Sequence, residues 1–222
     1  MCAVFGLYCP QLNEAAQRIL GALIWQSQIR GKHATGVSYT YAQGVMCTVS
    51  ESAPSRKFWP RETELYTDSP LALIGHCRYS TSDLEYNQPI ASEQDSIVHN
   101  GVITQKDPSK WADEFEYECK TKNDSELILR AIEDGCHPLE RYPKSSIAAI
   151  HLNVDGTLRF YRNGMRPLWW CEYAGAFWIA STRDILHRAF TNALGTSRDI
   201  AIYQCVPGVE YVIKDGILSD PK

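Results

Sequence analysis

The chain of 222 residues has no apolar stretch approaching the roughly 20 residues that a membrane span requires. Its first residues lack the basic region and apolar segment of a secretory signal. These two absences predict a soluble, cytoplasmic protein with no membrane partner. Positive charge is also short: 22 Lys and Arg against 26 Asp and Glu leave a formal charge of −4. No overall basic field favours nucleic acid, and direct nucleic-acid binding is not expected. Cysteines at positions 2, 9, 47, 77, 119, 136, 171 and 205 include no C-x-x-C pair. The simplest zinc and dithiol readings therefore fall away, and no metal or other cofactor is expected. In a reducing compartment such thiols read as mostly buried. Repeats, low-complexity tracts and linkers are lacking too. With 44% hydrophobic residues the chain can bury a substantial core, so one domain over residues 1–222 is expected.

What is present begins at the second position. Met1-Cys2 precedes the apolar run Ala3 to Tyr8. If Met1 is removed, Cys2 carries a thiol and a free α-amine on one carbon. An α-amine, with a reference pKa of about 8, is a base within reach of that thiol, directly or through one water. On this segment alone, a frayed terminus or the buried start of an edge strand explains the residues equally well.

Periodicity predicts antiparallel sheets and two groups of helices. After a strand over Ala3 to Tyr8, Asn13 can cap a helix with Ala16, Ile19, Leu20, Leu23 and Ile24 at helical spacing, ending near Arg30-Gly31. Strands at Thr35 to Tyr41 and Val45 to Val49 flank the turn Ala42-Gln43-Gly44, and Leu71 to Arg78 runs into a polar loop. Asp124-Ser125-Glu126 opens a second amphipathic helix. In the last third, Ser146 to Val154 pairs with Leu158 to Arg162 around Asp155-Gly156-Thr157, and Leu168 to Glu172 pairs with Ala176 to Ala180. A helix from Arg183 to Phe190 follows, then strands at Val209 to Ile213 and Ile217-Leu218. Many hairpins with few crossover helices imply antiparallel sheets whose faces the helices cover, an α+β class.

Three polar positions stand where strands or helices meet loops. Arg78, in Gly75-His76-Cys77-Arg78-Tyr79-Ser80-Thr81, can hold a carboxylate through two parallel hydrogen bonds, or form a surface ion pair. Asn100 and Gly101, after His99, can offer a side-chain amide and a backbone N–H to a developing oxyanion, or make an ordinary Asn-Gly turn. Asp124 can bind an ammonium group or simply cap its helix.

Six ordered blocks give these positions a common context: Cys2-Ala-Val-Phe-Gly6, Arg30-Gly-Lys-His-Ala-Thr-Gly36, Gly75 to Thr81, Asn87-Gln-Pro-Ile90, His99-Asn-Gly-Val-Ile103 and Asn123-Asp-Ser-Glu126. Together they resemble the class II glutamine amidotransferases. This is the N-terminal nucleophile glutaminase domain found in glucosamine-6-phosphate synthase, glutamine phosphoribosyl-pyrophosphate amidotransferase and asparagine synthetase. Arg162 to Leu168, Ile179 to Thr182 and Pro207 to Tyr211 resemble the family's closing strands, so the resemblance covers nearly the whole chain. It implies a four-layer αββα sandwich of two antiparallel sheets, the N-terminal nucleophile hydrolase fold. It also implies hydrolysis of the side-chain amide of L-glutamine. Cys2 would form a γ-glutamyl thioester, and Asn100 with the Gly101 N–H would hold the oxyanion. Arg78 would bind the α-carboxylate and Asp124 the α-ammonium, with Tyr79 and Thr81 on the substrate side in a loop that closes over glutamine. Arg30, His76 and His99 would support the site from behind.

Departures from the family pattern fall at His33, Tyr79 and Ser82-Asp83, and in length. The family usually has an acid at the position of His33, and Tyr79 stands where some members have tryptophan. In the biosynthetic enzymes a second domain consumes the ammonia, whereas this chain stops soon after Gly216. The resemblance therefore implies a separate ammonia-accepting synthase subunit as partner, with homo-oligomerisation open. A stand-alone hydrolase of other γ-glutamyl amides and a catalytically silent binding or regulatory protein are the alternatives.

Overall fold

The computed structural model describes residues 1–40, 44–62, 70–80 and 84–219, with residues 59–62 described in backbone only. The first half of the chain holds β1 (Ala3–Cys9), α1 (Glu14–Ser27), β2 (Ala34–Thr40), β3 (Met46–Glu51), α2 (Ser55–Glu62), β4 (Leu71–Arg78), β5 (Ile90–Ala91) and β6 (Asp95–His99). Next come α3 (Trp111–Phe115), α4 (Ser125–Glu133), α5 (Pro138–Arg141), β7 (Ala148–Asn153), β8 (Leu158–Arg162), β9 (Trp169–Tyr173) and β10 (Ala176–Ala180). α6 (Arg183–Leu194), β11 (Tyr203–Gln204), β12 (Glu210–Lys214) and β13 (Ile217–Leu218) close the fold.

Among the described residues, one antiparallel sheet runs β11-β9-β10-β1-β4-β2-β3 and a second runs β13-β12-β8-β7-β6-β5. Three apolar clusters separate four layers. α1 and α6 pack on the first sheet through Ile19, Leu23, Leu186 and Phe190 against Phe5, Leu7 and Leu73. Val4, Ile74, Val98, Ile150, Phe160 and Ile179 fill the space between the sheets. Leu127, Ile128 and Ala131 of α4 cover the second sheet at Ile97, Ala149 and Tyr161. This is the αββα sandwich.

The strand after Cys2 lies at the centre of its sheet, not at an edge. β1 pairs with β10 on one side and β4 on the other. Both of its faces are covered, which explains why its sequence is a continuous apolar run and not an alternation. Ala3, Phe5, Leu7 and Cys9 meet the helices, while Val4 and Tyr8 face the second sheet. Phe5 lies opposite Gly75, and its ring fills the place a side chain there would take: a Cβ on Gly75 would sit 2.1 Å from that ring.

Several boundaries shift from the sequence expectation. α1 ends at Ser27, not near Arg30, because the amides of Ile29, Arg30 and Gly31 bond to carbonyls three residues back and tighten the chain into a turn. α6 runs on to Leu194, stopped by Gly195 at φ 77°. The hairpin of β2 and β3 forms, while its turn residues 41–43 lie outside the described residues. Thr81, expected on the substrate side, also lies outside them. The eight cysteines are free, and Cys9, Cys77, Cys171 and Cys205 are buried. No helix among the described residues is long and apolar enough to cross a membrane.

Candidate functional site

Strand register decides what surrounds Cys2. Ala3 pairs with Cys77, and Arg78 pairs with Ala34, so Cys2, Arg78 and His33 arrive together at one end of the first sheet. By alternation Cys2 continues the face of Val4, the one turned toward the second sheet. There the Cys2 Sγ–H donates to the Tyr79 carbonyl at 3.8 Å. The Cys2 carbonyl accepts from Arg30 Nε at 2.8 Å, which ties the turn after α1 to the start of β1. Met1 is exposed, with its sulfur 3.6 Å from Arg30 Nη2.

The second sheet delivers the Asn-Gly pair. β4 stacks over β6 and β7, and Asn100 follows the last residue of β6. Its backbone continues the pairing with β7, N–H to the Ala148 carbonyl at 2.9 Å, so Asn100 and Gly101 extend the sheet and do not turn back as a tight hairpin. Asn100 Nδ2 is buried without a hydrogen-bond partner. An unmade hydrogen bond on a buried amide costs about 1–3 kcal/mol, so this donor calls for a ligand or a compensating role. Gly101 is required sterically: a Cβ there would lie 1.8 Å from the Ser146 carbonyl and 2.4 Å from His99 Nε2.

A frame of side chains holds this pair in place. Gln88 clamps the His99 backbone on both groups, Oε1 accepting from the N–H at 2.6 Å and Nε2 donating to the carbonyl at 3.1 Å. Gln88 Nε2 also donates to Ser125 Oγ at 2.9 Å, and that hydroxyl lies 3.1 Å from His99 Nδ1. His99 Nε2 lies 3.1 Å from the Ser146 carbonyl, which can only accept. The tautomer follows: the proton sits on Nε2, and Nδ1 accepts from Ser125. Burial pushes His99 below the ordinary imidazole range despite the Asp124 charge nearby. His76, paired with Val4 on the same inter-sheet face, is pushed down to about 3 by burial, with Arg78 and His99 adding to the effect. Its Nε2 is also buried and unpartnered.

The two expected anchors each carry structural bonds. Arg78 Nη1 donates to the Tyr86 carbonyl at 2.7 Å and to Asn87 Oδ1 at 2.9 Å. The same Tyr86 carbonyl accepts from Asn123 Nδ2 at 3.1 Å, which joins the Arg78 loop to the start of α4. Asp124 occupies the N-cap position, yet its side chain makes no capping bond. Instead Oδ2 accepts from the amides of Ile103 and Thr104 at 2.6 and 3.3 Å, pinning the loop after Gly101. Residues 78–80, 84–88, 99–104 and 123–126 thus form one bonded unit beside β1.

Gln88, Asn123, Ser125, Ser146 and Arg166 were not singled out from sequence. The first three lie inside recognisable blocks, where an amide or hydroxyl flanking a strand or helix end was the available signal. Ser146 is 47 residues from its partner His99, and no local pattern marks it. Arg166 lies on the connection between β8 and β9, where its charge acts on both Arg30 and His99.

A family model described as a glutamine amidotransferase domain matches residues 50–206. A search of curated proteins finds no match. Among solved structures, glutamine phosphoribosylpyrophosphate amidotransferase from B. subtilis, complexed with ADP and GMP, superposes with TM-score 0.74 at 20% identity, covering 98% of this chain and 48% of that one. A structure described as the allosteric regulatory enzyme of purine biosynthesis gives TM-score 0.72 at 19% identity, covering 98% and 48%. This chain therefore spans about half the length of each. A glutamine aminotransferase class-II domain protein from Silicibacter pomeroyi gives TM-score 0.55 at 14% identity and covers 97% of both chains. The matched residues and the shared fold agree: the chain belongs to the glutamine amidotransferase domain family, class II, with the N-terminal nucleophile hydrolase architecture.

Proposed function

We propose that the chain hydrolyses the side-chain amide of L-glutamine through Cys2 and supplies the ammonia to a separate synthase partner. The observation that carries this reading is the buried, unpaired Asn100 amide donor, next to His99, whose backbone Gln88 ties to the segment that Arg78 bonds. In the proposed cycle Met1 is lost, and the freed α-amine of Cys2 takes the thiol proton as sulfur attacks the glutamine Cδ carbonyl. The oxyanion is held by Asn100 Nδ2 and the Gly101 N–H. The amine then returns the proton to the departing ammonia, leaving a γ-glutamyl thioester that water hydrolyses to glutamate.

Arg78 on the α-carboxylate and Asp124 on the α-ammonium give the site its preference for an amino acid, and substrate binding also draws on Tyr79 and Thr81. Leaving either charge buried and unpaired costs several kcal/mol, which selects against simple amides. Arg30, His76 and His99 support the reacting groups. One domain over residues 1–222 and a cytoplasmic location complete the reading.

The second reading is a hydrolase of another γ-glutamyl amide. Glutamate release from glutamine and from a series of γ-glutamyl amides, using chain freed of Met1, separates the two. The glutaminase reading expects glutamine to be hydrolysed and Cys2→Ala to be inactive. Hydrolysis of γ-glutamyl amides with glutamine untouched overturns it in favour of the second. Absence of any hydrolysis leaves the catalytically silent binding or regulatory protein.

A further inference from the structure

His33 occupies an exposed turn, yet it is bonded to the site on three sides. Its backbone N–H donates to the Arg78 carbonyl at 3.0 Å. Its ring stacks on Tyr79, centroids 5.0 Å apart and planes 30° apart. Its Nδ1 accepts the Ser80 N–H at 2.9 Å. An imidazole that accepts at Nδ1 in its neutral form carries its proton on Nε2. Beneath the same turn, Gly31 packs so closely that a Cβ would sit 2.3 Å from the Arg78 carbonyl carbon. The turn of residues 30–33 and the strand end of residues 78–80 are therefore one interlocked piece.

That piece carries two groups of the site. It aims the Arg78 guanidinium at the residue 86–87 segment, and its Tyr79 carbonyl receives the Cys2 thiol. Past Arg78 the strand ladder is finished, so the Tyr79 and Ser80 backbone is held by other means. His33 supplies an acceptor and an aromatic face at this point.

We propose that His33 is a positioning residue of the glutamine site: through Ser80 and Tyr79 it fixes the backbone that places Arg78 and the Tyr79 carbonyl beside Cys2. The proposal rests on the glutaminase reading for its kinetic consequence but not for its geometry. Two variants divide the two contacts. His33→Phe keeps the ring and loses the acceptor, whereas His33→Asn keeps a short side-chain acceptor and loses the ring.

The test uses the full chain freed of Met1 and two readouts. The first is glutamine hydrolysis. Loss of one hydrogen bond of about 1–1.5 kcal/mol corresponds to a rise in KM on the order of tenfold for His33→Phe, with kcat within about twofold and most of the affinity restored in His33→Asn. The second is the rate at which iodoacetamide alkylates Cys2 without substrate, located by peptide mapping. Release of the Tyr79 carbonyl should make Cys2 several-fold more reactive in His33→Phe and leave His33→Asn near the parent. If the parent hydrolyses no glutamine, the glutaminase reading fails and the alkylation rates alone decide the role of His33. Equal alkylation rates in all three proteins, or an unchanged KM in His33→Phe, overturn the proposal.

Discussion

Asn100 and Gly101 separate what a residue does for the fold from what it does for chemistry. Gly101 has a steric reason to be glycine, since a side chain would collide with the Ser146 carbonyl and displace the His99 ring. Asn100 has no such reason: its Nδ2 is buried and bonded to nothing. Removing an unsatisfied donor relieves a cost, so Asn100→Ala is expected to leave the melting temperature unchanged or slightly raised. The same variant should lower kcat by about 10²–10³-fold if the amide holds the oxyanion. Thermal unfolding and steady-state kinetics on one preparation check both halves, and a variant that loses stability without losing kcat would reassign Asn100 to structure. His76 makes a different statement at this scale. Its folded pKa near 3 lies below the reference value of about 6.5, so the unfolded chain binds the extra proton between those values. Stability is thus undiminished by this group above pH about 6.5 and falls as the pH drops below it, by at most about 1.4 kcal/mol per unit. Urea unfolding at pH 7 and pH 5 should show a shallower acid loss in His76→Gln than in the parent; identical losses would contradict the assignment.

Elements explain why these residues meet at all. β1 is covered on both faces, and its neighbour β4 accommodates Phe5 only because residue 75 is glycine. Gly75→Ala would force the ring off its seat and is expected to cost about 1–3 kcal/mol, read as a lower midpoint in denaturant. An unchanged midpoint would mean that Phe5 repacks freely. The strands and the two long helices were legible because their apolar periods are regular, as at Ala16, Ile19, Leu20 and Leu23 on α1. The end of α1 was not, because its last turn is tightened by tertiary packing of Gly31 on Arg78. Short α2, α3 and α5 carry too few residues for a period to show. At the site, Cys2, Arg78 and Asp124 stood out by chemical type, but the bonds Asp124 accepts from the Ile103 and Thr104 amides depend on a loop 20 residues away. Gln88 was hidden for a similar reason: its role appears only when β6 brings the His99 backbone beside it.

At the scale of the whole molecule, the Arg78 end of the first sheet is tied to the Asn-Gly end of the second through residues 86–88, Arg78 bonding Tyr86 and Asn87 while Gln88 bonds the His99 backbone. The layering supports that link: β4 stacks over β6 and β7, with Ile74 and Val98 in the apolar filling between. Arg78 and Asn100 are therefore set by the packing of two sheets, which suits the proposed reaction, whose oxyanion donor must be in place before attack. The central claim is that Cys2, freed of Met1, attacks glutamine. Intact-mass spectrometry of the acid-quenched chain after mixing with L-glutamine tests it directly. The expected result is a γ-glutamyl adduct mapped to Cys2 in chain lacking Met1, absent from chain retaining Met1 and from Cys2→Ala. Ammonia release by either of those two proteins, or an adduct on any other cysteine, would contradict it.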